Sequence, residues 1–163
     1  YIVKAIDDGF SSVMVDASRF DLEGNIEMTR EIADYAHARG VSVEGEIGAL
    51  GATDGGAFTK EDMYTDPAQA KVFAEKTGID ALAISIGTSH GNYPDGKVPE
   101  FDFERLKEIK CLTNMPLVLH GGSGSGETNI RKSVEYGINK INEEMVDNPE
   151  FKKRIETIKK KIC

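Results

Sequence analysis

Short runs of β-branched and aliphatic residues alternate along the chain with longer segments whose apolar residues recur every three or four positions. The short runs are typical of buried strands, and the longer segments are typical of helices that pack one face on a sheet. Strands are expected at residues 11–16, 41–47, 80–86, 116–120 and 138–142. Helices are expected at residues 25–39, 66–77, 102–111 and 127–136, and an amphipathic helix at about 149–162.

This alternation predicts an α/β fold with a parallel sheet, because parallel neighbours need a crossover connection. Two architectures fit five strands. One is a five-stranded doubly wound sheet, as in a flavodoxin-like binding domain. The other is an incomplete (β/α)8 barrel, or TIM barrel, which in its complete form normally needs about 250 residues. The number of strands does not distinguish them, and the chain is expected to form one unit over residues 1–163.

Polar side chains follow each predicted strand at its carboxyl end. They are Asp16, Glu44 with Glu46, His90, His120 and Asn142. Function gathers at these ends in both architectures, so we expect the side chains to share one rim. Imidazole nitrogens and carboxylate oxygens suit a borderline metal such as zinc.

Each of these residues also has an ordinary structural explanation. A single Asp or Asn after a strand, such as Asp16 or Asn142, is more often a turn former or helix cap. His37 lies in a predicted helix and is expected at the surface. The metal hypothesis depends on two histidines and several carboxylates occurring together at one rim.

Two glycine-rich segments follow strands and carry these histidines. His120-Gly-Gly-Ser-Gly-Ser-Gly126 leads directly into a helix, where free backbone N–H groups can hold a phosphate. It lacks the Gly-Lys-Ser/Thr of a Walker loop and the Gly-x-Gly-x-x-Gly of a dinucleotide site. Gly87-Thr-Ser-His-Gly91 is the second such segment.

Composition narrows the partners and the compartment. The net charge of −8 argues against a nucleic-acid partner, because phosphate contacts need a basic surface. No apolar run approaches the roughly 20 residues of a membrane span, so no membrane partner is expected. Cys111 and Cys163 are too few for a disulfide framework, which favours a cytoplasmic setting. The first residue is Tyr1 rather than Met, and a piece of a longer protein is therefore expected.

Six ordered segments carry a resemblance to a known family, at residues 9–18, 36–48, 64–67, 86–91, 99–104 and 116–124. In these segments the chain resembles the class II, metal-dependent fructose- and tagatose-bisphosphate aldolases. The resemblance implies a TIM barrel, here about its last five strands. It also implies reversible cleavage of a ketose 1,6-bisphosphate to dihydroxyacetone phosphate and glyceraldehyde 3-phosphate, and a homodimer or homotetramer for the complete protein.

The same resemblance implies roles for particular residues, with zinc as the cofactor. By position, His90 and His120 match two zinc ligands, while Asp16 and Glu46 match a second site for a divalent metal or monovalent cation. Asp54 stands where relatives carry a catalytic glutamate. Residues that match the sugar-phosphate contacts are Gly91, Gly121, Gly122, Ser123 and Asn142.

The chain also departs from the family pattern. The Leu-His-x-Asp-His motif that supplies a third zinc histidine and a catalytic aspartate is absent, and Asp54 is one methylene shorter than the expected glutamate. Asn142 is followed by Glu143-Glu-Met145 where a threonine is expected at the end. We therefore expect impaired cleavage by this chain alone. The alternative is a non-catalytic, shortened paralogue that binds metal or sugar phosphate.

Overall fold

A computed structural model describes residues 1–48, 64–88 and 99–142. Within them, helices and strands alternate as the sequence predicts. The helices are α1 (Ile2–Asp7), α2 (Leu22–His37), α3 (Pro67–Thr77), α4 (Phe103–Thr113) and α5 (Glu127–Glu135). The strands are β1 (Ser12–Val15), β2 (Ser42–Ile47), β3 (Ala81–Ile84), β4 (Leu117–Leu119) and β5 (Ile138–Ile141). The helix predicted at about 149–162 lies outside the described residues, as do Asp54, His90 and Gly91.

Side-chain caps explain where the helices begin. Helix α2 starts three residues before the predicted position, because the Asp21 carboxylate accepts a hydrogen bond from the Gly24 N–H at 2.9 Å. Asp102 was expected inside α4 but lies just before it, and its carboxylate accepts from the Arg105 N–H. Asp66 caps α3 as predicted, and a proline follows it at the first helical position.

The five strands are parallel and lie in the order β1-β2-β3-β4-β5. Right-handed crossovers between sequential neighbours place every helix on the same face of the sheet. Successive helices accordingly contact one another, from α1 against α2 to α4 against α5. A doubly wound sheet reverses its strand order and carries helices on both faces. The described part of the chain is therefore a run of consecutive (β/α) units of the kind that builds a barrel, and the flavodoxin-like alternative is wrong.

The core lies between the sheet and this single helix layer. Its fully buried side chains include Phe73 from α3, Leu82 and Ile84 from β3, and Leu117 and Leu119 from β4. A Cβ added to Gly45 of β2 would lie 3.0 Å from both the Phe73 ring and the Ile79 side chain. Helix α3 therefore packs closely on β2 because position 45 has no side chain.

The opposite face of the sheet carries the polar residues. Val43 and Gly45 face the helices, so strand alternation places Glu44 and Glu46 on the opposite face. The parallel register puts Ala81 beside Glu44 and Ala83 beside Glu46. His120 follows β4 on this face, in alternation with Leu119. No helix among the described residues is both long enough and apolar enough to cross a membrane.

Candidate metal and phosphate site

Glu44 on β2 and His120 after β4 meet across the intervening strand β3. The Glu44 Oε1 and His120 Nε2 atoms are 2.8 Å apart, and both side chains are 7% exposed. Strand β3 and the residue after it present Ala81, Ala83 and Ser85 on this face. Their small side chains leave room for the Glu44 carboxylate and the His120 imidazole to make contact across β3.

Glu44 is also paired with a cation from the fifth strand. Lys140 Nζ donates to Glu44 Oε2 at 2.7 Å, so one carboxylate links β2 to both β4 and β5. Burial alone would raise the pKa of Glu44. The hydrogen bonds from His120 and Lys140, and their positive charges, outweigh burial and hold that pKa below its ordinary value. Glu44 is therefore a buried, ionised carboxylate with both oxygens engaged.

Glu46 lies in a different electrostatic environment, although it is only two residues away. Burial, together with the negative charge of Asp16, raises the pKa of Glu46 to about 7, against the opposing effect of His120. Glu46 Oε2 lies 3.7 Å from His120 Nδ1. The rim therefore carries excess negative charge at this point, and a bound cation would balance that charge.

His120 is the centre of the cluster, because each ring nitrogen faces a different glutamate. The hydrogen bond to Glu44 raises the pKa of His120 above its ordinary value, against burial, and the charges of Glu46 and Glu44 act in the same direction. The imidazole is therefore held between two acidic side chains that come from one strand.

Asp16 follows β1 at the same rim, and its side chain forms the turn that the ordinary explanation predicts. Its Oδ1 accepts hydrogen bonds from the Ser18 N–H at 3.1 Å and the Ser18 hydroxyl at 2.7 Å. Its charge nevertheless acts on Glu46, as the raised pKa shows. The structure thus brings Asp16, Glu46 and His120 to one rim, with Asp16 also shaping the local backbone.

The donor chemistry at this rim fits zinc, but the described residues do not complete a site. They contain no group of three or more His, Cys, Asp or Glu side chains placed to hold a metal ion. His120 Nδ1 and Glu46 Oε2 lie 3.7 Å apart, and the predicted ligand His90 lies outside the described ranges. Thr88, two residues before His90, has a fully buried hydroxyl with no hydrogen-bond partner in the described part of the chain.

The glycine segment after β4 is joined directly to β5. The Gly122 N–H donates to the Asn142 carbonyl at 3.0 Å, and the Asn142 N–H donates to the Leu119 carbonyl at 2.9 Å. Gly121 and Gly126 have positive φ angles of 67° and 80°, which favour glycine. These contacts place two predicted phosphate-binding segments side by side. Because its amide donates to Asn142, Gly122 has no free N–H to offer an anion, and the phosphate hypothesis at this residue depends on the shape of the loop.

Helix α5 begins directly after this segment and has no side-chain cap at its N-terminus. The first amides of a helix are a favourable place for an anion. The Glu127 carboxylate in the first turn opposes an anion there, although it is paired with Arg131 at 2.8 Å. The phosphate hypothesis for Gly121–Ser123 and Asn142 is compatible with this backbone geometry and stays a prediction.

Two buried polar side chains that sequence inspection did not single out support the rim. Asn25 of α2 donates from Nδ2 to the Glu46 carbonyl at 2.9 Å and accepts from the Thr29 hydroxyl. The Thr65 hydroxyl donates to the Ile47 carbonyl at 2.7 Å and accepts from the Ser85 N–H at 2.8 Å. Both side chains tie the end of β2 to its neighbours. The signal that could have identified Asn25 and Thr65 is that each is a polar residue at a position that the fold buries.

His37 lies away from this rim, at the other end of the sheet. Its side chain is 40% exposed, as predicted for a surface residue, and its Nε2 lies 2.9 Å from Asp80 Oδ2. The same carboxylate oxygen accepts from the Val43 N–H at 2.7 Å. His37 therefore helps to hold α2 against the sheet.

Comparison with known proteins gives one consistent result. The family model described as fructose-bisphosphate aldolase class II matches residues 1–161. A fructose-bisphosphate aldolase of Staphylococcus epidermidis is 45% identical over 139 residues, which are 85% of this chain and 48% of that protein. The chain spans about half the length of the curated relatives that it matches.

Solved structures agree with the sequence comparison. The crystal structure of the YdjI aldolase from Escherichia coli K12 is 38% identical, with a TM-score of 0.71, over 88% of this chain and 47% of that one. A putative fructose-1,6-biphosphate aldolase from Coccidioides immitis is 36% identical, with a TM-score of 0.78, over 93% of this chain and 55% of that one.

Proposed function

Because this chain belongs to the class II fructose-bisphosphate aldolase family, we propose that it supplies part of the active site of a metal-dependent aldolase. The reaction is the reversible cleavage of a ketose 1,6-bisphosphate, with fructose or tagatose as the sugar. The products are dihydroxyacetone phosphate and glyceraldehyde 3-phosphate.

The observation that carries this proposal is the convergence of Asp16, Glu46 and His120 beside the glycine segment. An acidic, imidazole-containing rim can hold a divalent cation, and the adjoining loop and helix N-terminus can hold a phosphate. A ketose bisphosphate presents both a carbonyl for the metal and a phosphate for the loop. The two halves of the site therefore fit two parts of one substrate.

In the proposed site, His90 and His120 hold the zinc ion, and Asp16 and Glu46 form a second cation position. When bound, the metal polarises the ketone and stabilises negative charge that develops on its oxygen. Asp54 moves the proton at the carbon next to the carbonyl. Gly91 and the loop formed by Gly121, Gly122 and Ser123, with Asn142, orient the phosphate of the dihydroxyacetone half.

We propose that the 163-residue chain alone turns over very slowly, because it lacks the motif that supplies a third histidine and an aspartate. The purified chain should show negligible cleavage of fructose or tagatose bisphosphate in a coupled assay. Ready cleavage that is abolished by a chelator would contradict this expectation.

A chimera tests the activity itself. The part of the Staphylococcus epidermidis relative that this chain does not match would be joined ahead of Tyr1. Zinc-dependent cleavage by the chimera, lost with a chelator and restored by zinc, is the expected result. Assaying both bisphosphates in parallel identifies the preferred sugar. A folded, zinc-loaded chimera that cleaves neither sugar would contradict the proposal.

One observation favours the alternative of a non-catalytic binding protein. Glu143 and Glu144 follow Asn142 directly in the sequence and add negative charge at the end of the predicted phosphate segment, where a threonine is expected. That alternative predicts zinc or sugar-phosphate binding by the chain and an inactive chimera. Calorimetry with zinc and with dihydroxyacetone phosphate, run beside the cleavage assay, distinguishes the two.

A further inference from the structure

Arg105 of α4 has no ligand or substrate role in the proposed function, yet its side chain contacts the residues at which the chain returns to the sheet after β2 and after β3. We propose that Arg105 is a positioning residue that joins these two returns. Through this joint it holds the stretch that carries Asp54 in place relative to the stretch that carries His90. The part of this inference that concerns activity rests on the proposed function. The part that concerns the joint does not.

The return after β2 is made at Thr65, which is fully buried. Its N–H donates to the Ser85 carbonyl at 2.9 Å, in addition to the two hydrogen bonds of its hydroxyl described above. A Cβ added to Gly48, the residue that follows β2, would lie 2.5 Å from Thr65 Oγ1. Residues 48 and 65, on either side of the stretch that carries Asp54, therefore meet at the ends of β2 and β3.

Residues on either side of the stretch that carries His90 also meet. The Asp102 N–H donates to the Ile86 carbonyl at 2.9 Å, and a Cβ added to Gly87 would lie 2.5 Å from the Glu100 carbonyl oxygen. Tyr64 forms an antiparallel bridge with Ile86, and its hydroxyl would lie 3.2 Å from the same added Cβ. The residues that return after β2 and after β3 thus pack around one point at the end of β3.

The Arg105 guanidinium connects the two returns directly. Its Nη1 donates to the Thr65 carbonyl at 3.0 Å, and its Nε donates to Asp102 Oδ2 at 3.0 Å. Its central carbon lies 5.2 Å from the centre of the Tyr64 ring, within the range of a cation–π contact. A planar guanidinium has several donors in a fixed arrangement, so one side chain can bind a carbonyl, a carboxylate and a ring at once.

The pattern of these contacts favours a positioning role over a purely local one. An Arg–Asp pair three residues apart on a partly exposed helix contributes little by itself, and the Arg105 side chain is 30% exposed. The contact with the Thr65 carbonyl, however, joins residues 40 positions apart. A displacement of about 1 Å in a reacting group can lower a rate about 100-fold, so a fixed joint at this rim matters for proton transfer by Asp54.

The first test measures amide hydrogen exchange by NMR in the 163-residue chain and needs no aldolase activity. Arg105→Met should raise the exchange rates of the Thr65 and Asp102 amides about 10-fold, because both residues lose a contact that holds them. The amides of Asp80 and Leu82, which bond to the Val43 and Pro116 carbonyls near the start of β3, should keep their rates.

Lys107→Met is the matched control, because it removes another ion pair of the i, i+3 type from α4, the one with Glu104. Arg105→Lys keeps the charge and one donor, so a smaller rise in the two exchange rates is expected. This variant tests the joint even where Arg105→Met does not fold. Thr65 and Asp102 rates in the folded Arg105 variants equal to those of the control would overturn the joint.

The second test measures cleavage by the chimera described above. Arg105→Met should lower kcat about 10–100-fold and change KM less, with zinc content kept, because the expected change is in the placement of Asp54. Exchange of the carbon-bound proton of dihydroxyacetone phosphate with deuterated water should slow by a similar factor. Arg105→Lys should recover part of both losses, and Lys107→Met should lose neither.

The outcomes separate the two proposals. A kcat of Arg105→Met equal to that of Lys107→Met would overturn the positioning role, and so would loss of zinc in step with loss of activity. An unmodified chimera that binds zinc but is inactive would count against the proposed function. In that case the amide exchange rates still decide whether Arg105 joins the two returns.

Discussion

The side-chain amide of Asn25, near the start of α2, donates to the backbone carbonyl of Glu46 near the end of β2, at 2.9 Å. Asn25 is 2% exposed, and its own oxygen accepts from the Thr29 hydroxyl. One buried amide on a helix therefore fixes the backbone of a residue at the proposed metal site.

Replacing this amide should lower the stability of the fold. Asn25→Ala leaves the Glu46 carbonyl and the Thr29 hydroxyl without their partner, and we expect a loss of about 1–3 kcal/mol in the free energy of unfolding. Urea unfolding followed by circular dichroism measures the change. Gln69→Ala, an exposed amide truncation on α3, is the control. A loss no larger than that of the control would contradict the role of Asn25.

The Thr65 hydroxyl should be equally important to the end of β2. Thr65→Val keeps the shape of the side chain but removes the bonds to the Ile47 carbonyl and the Ser85 N–H. A loss of about 1–3 kcal/mol is expected in urea unfolding. Thr65→Ser retains the hydroxyl and should recover much of the difference. Equal stabilities of the Val and Ser variants would show that the methyl group, not the hydroxyl, matters.

Asp80 should contribute to stability in a pH-dependent way. Burial would raise its pKa, but the Val43 N–H and His37 outweigh burial and hold the pKa below its ordinary value. The carboxylate therefore stabilises the fold above the unfolded-state pKa of about 3.8, and this contribution is lost as the pH falls through the lower folded pKa.

Acid titration of Asp80→Asn checks this sign. The stability difference between the unmodified chain and Asp80→Asn should be largest above about pH 4 and should shrink toward pH 2. Asp34→Asn, on the exposed face of α2, should show a smaller difference at every pH. A gap for Asp80→Asn that widens on acidification would contradict the prediction.

Glu46 should have the opposite dependence in chelator-treated protein. Its pKa of about 7 exceeds the ordinary value of 4.5, so the folded state holds a proton that the unfolded state has released. Its contribution to stability should therefore decrease as the pH rises from about 4.5 to about 7. Glu46→Gln cannot ionise and should lose this part of the dependence. Parallel pH–stability curves for the two proteins would refute the assignment.

Zinc content of the chimera tests the two predicted histidine ligands together. His90→Ala and His120→Ala should each remove zinc and cleavage activity, because a site with open ligand positions binds zinc weakly. Elemental analysis after dialysis measures the metal, and His37→Ala is the control histidine. Full zinc content in both ligand variants would exclude them from the site.

Much of the fold follows from local signals in the sequence. Asp66-Pro67 and Gly78 mark the two ends of α3, and the β-branched runs locate each strand. The number of strands could not distinguish a doubly wound sheet from a segment of a barrel. It depends on which strands become neighbours, and that is set by crossovers between distant parts of the chain.

The rim of polar residues could be predicted because the carboxyl ends of parallel strands lie at one edge of the sheet. Polar residues that follow the strands therefore come together at that edge. Lys140 was missed because a lysine that follows Asn139 in a strand at the edge of the predicted sheet resembles a solvent-facing position. Its contact with Glu44 joins residues 96 positions apart. Only the curvature and register of the sheet bring that lysine over the site.

The small side chain at position 83 of β3 bears on how proteins with this site keep or lose their activity during evolution. The pairing of Glu44 with His120 passes over Ala83, which is 1% exposed and has no charge of its own. A bulkier residue there would separate the acid from the imidazole while every polar residue of the family motifs stayed in place. A substitution at this uncharged position could therefore inactivate such a site during evolution. A search for the family motifs would still find every polar residue of the site in place.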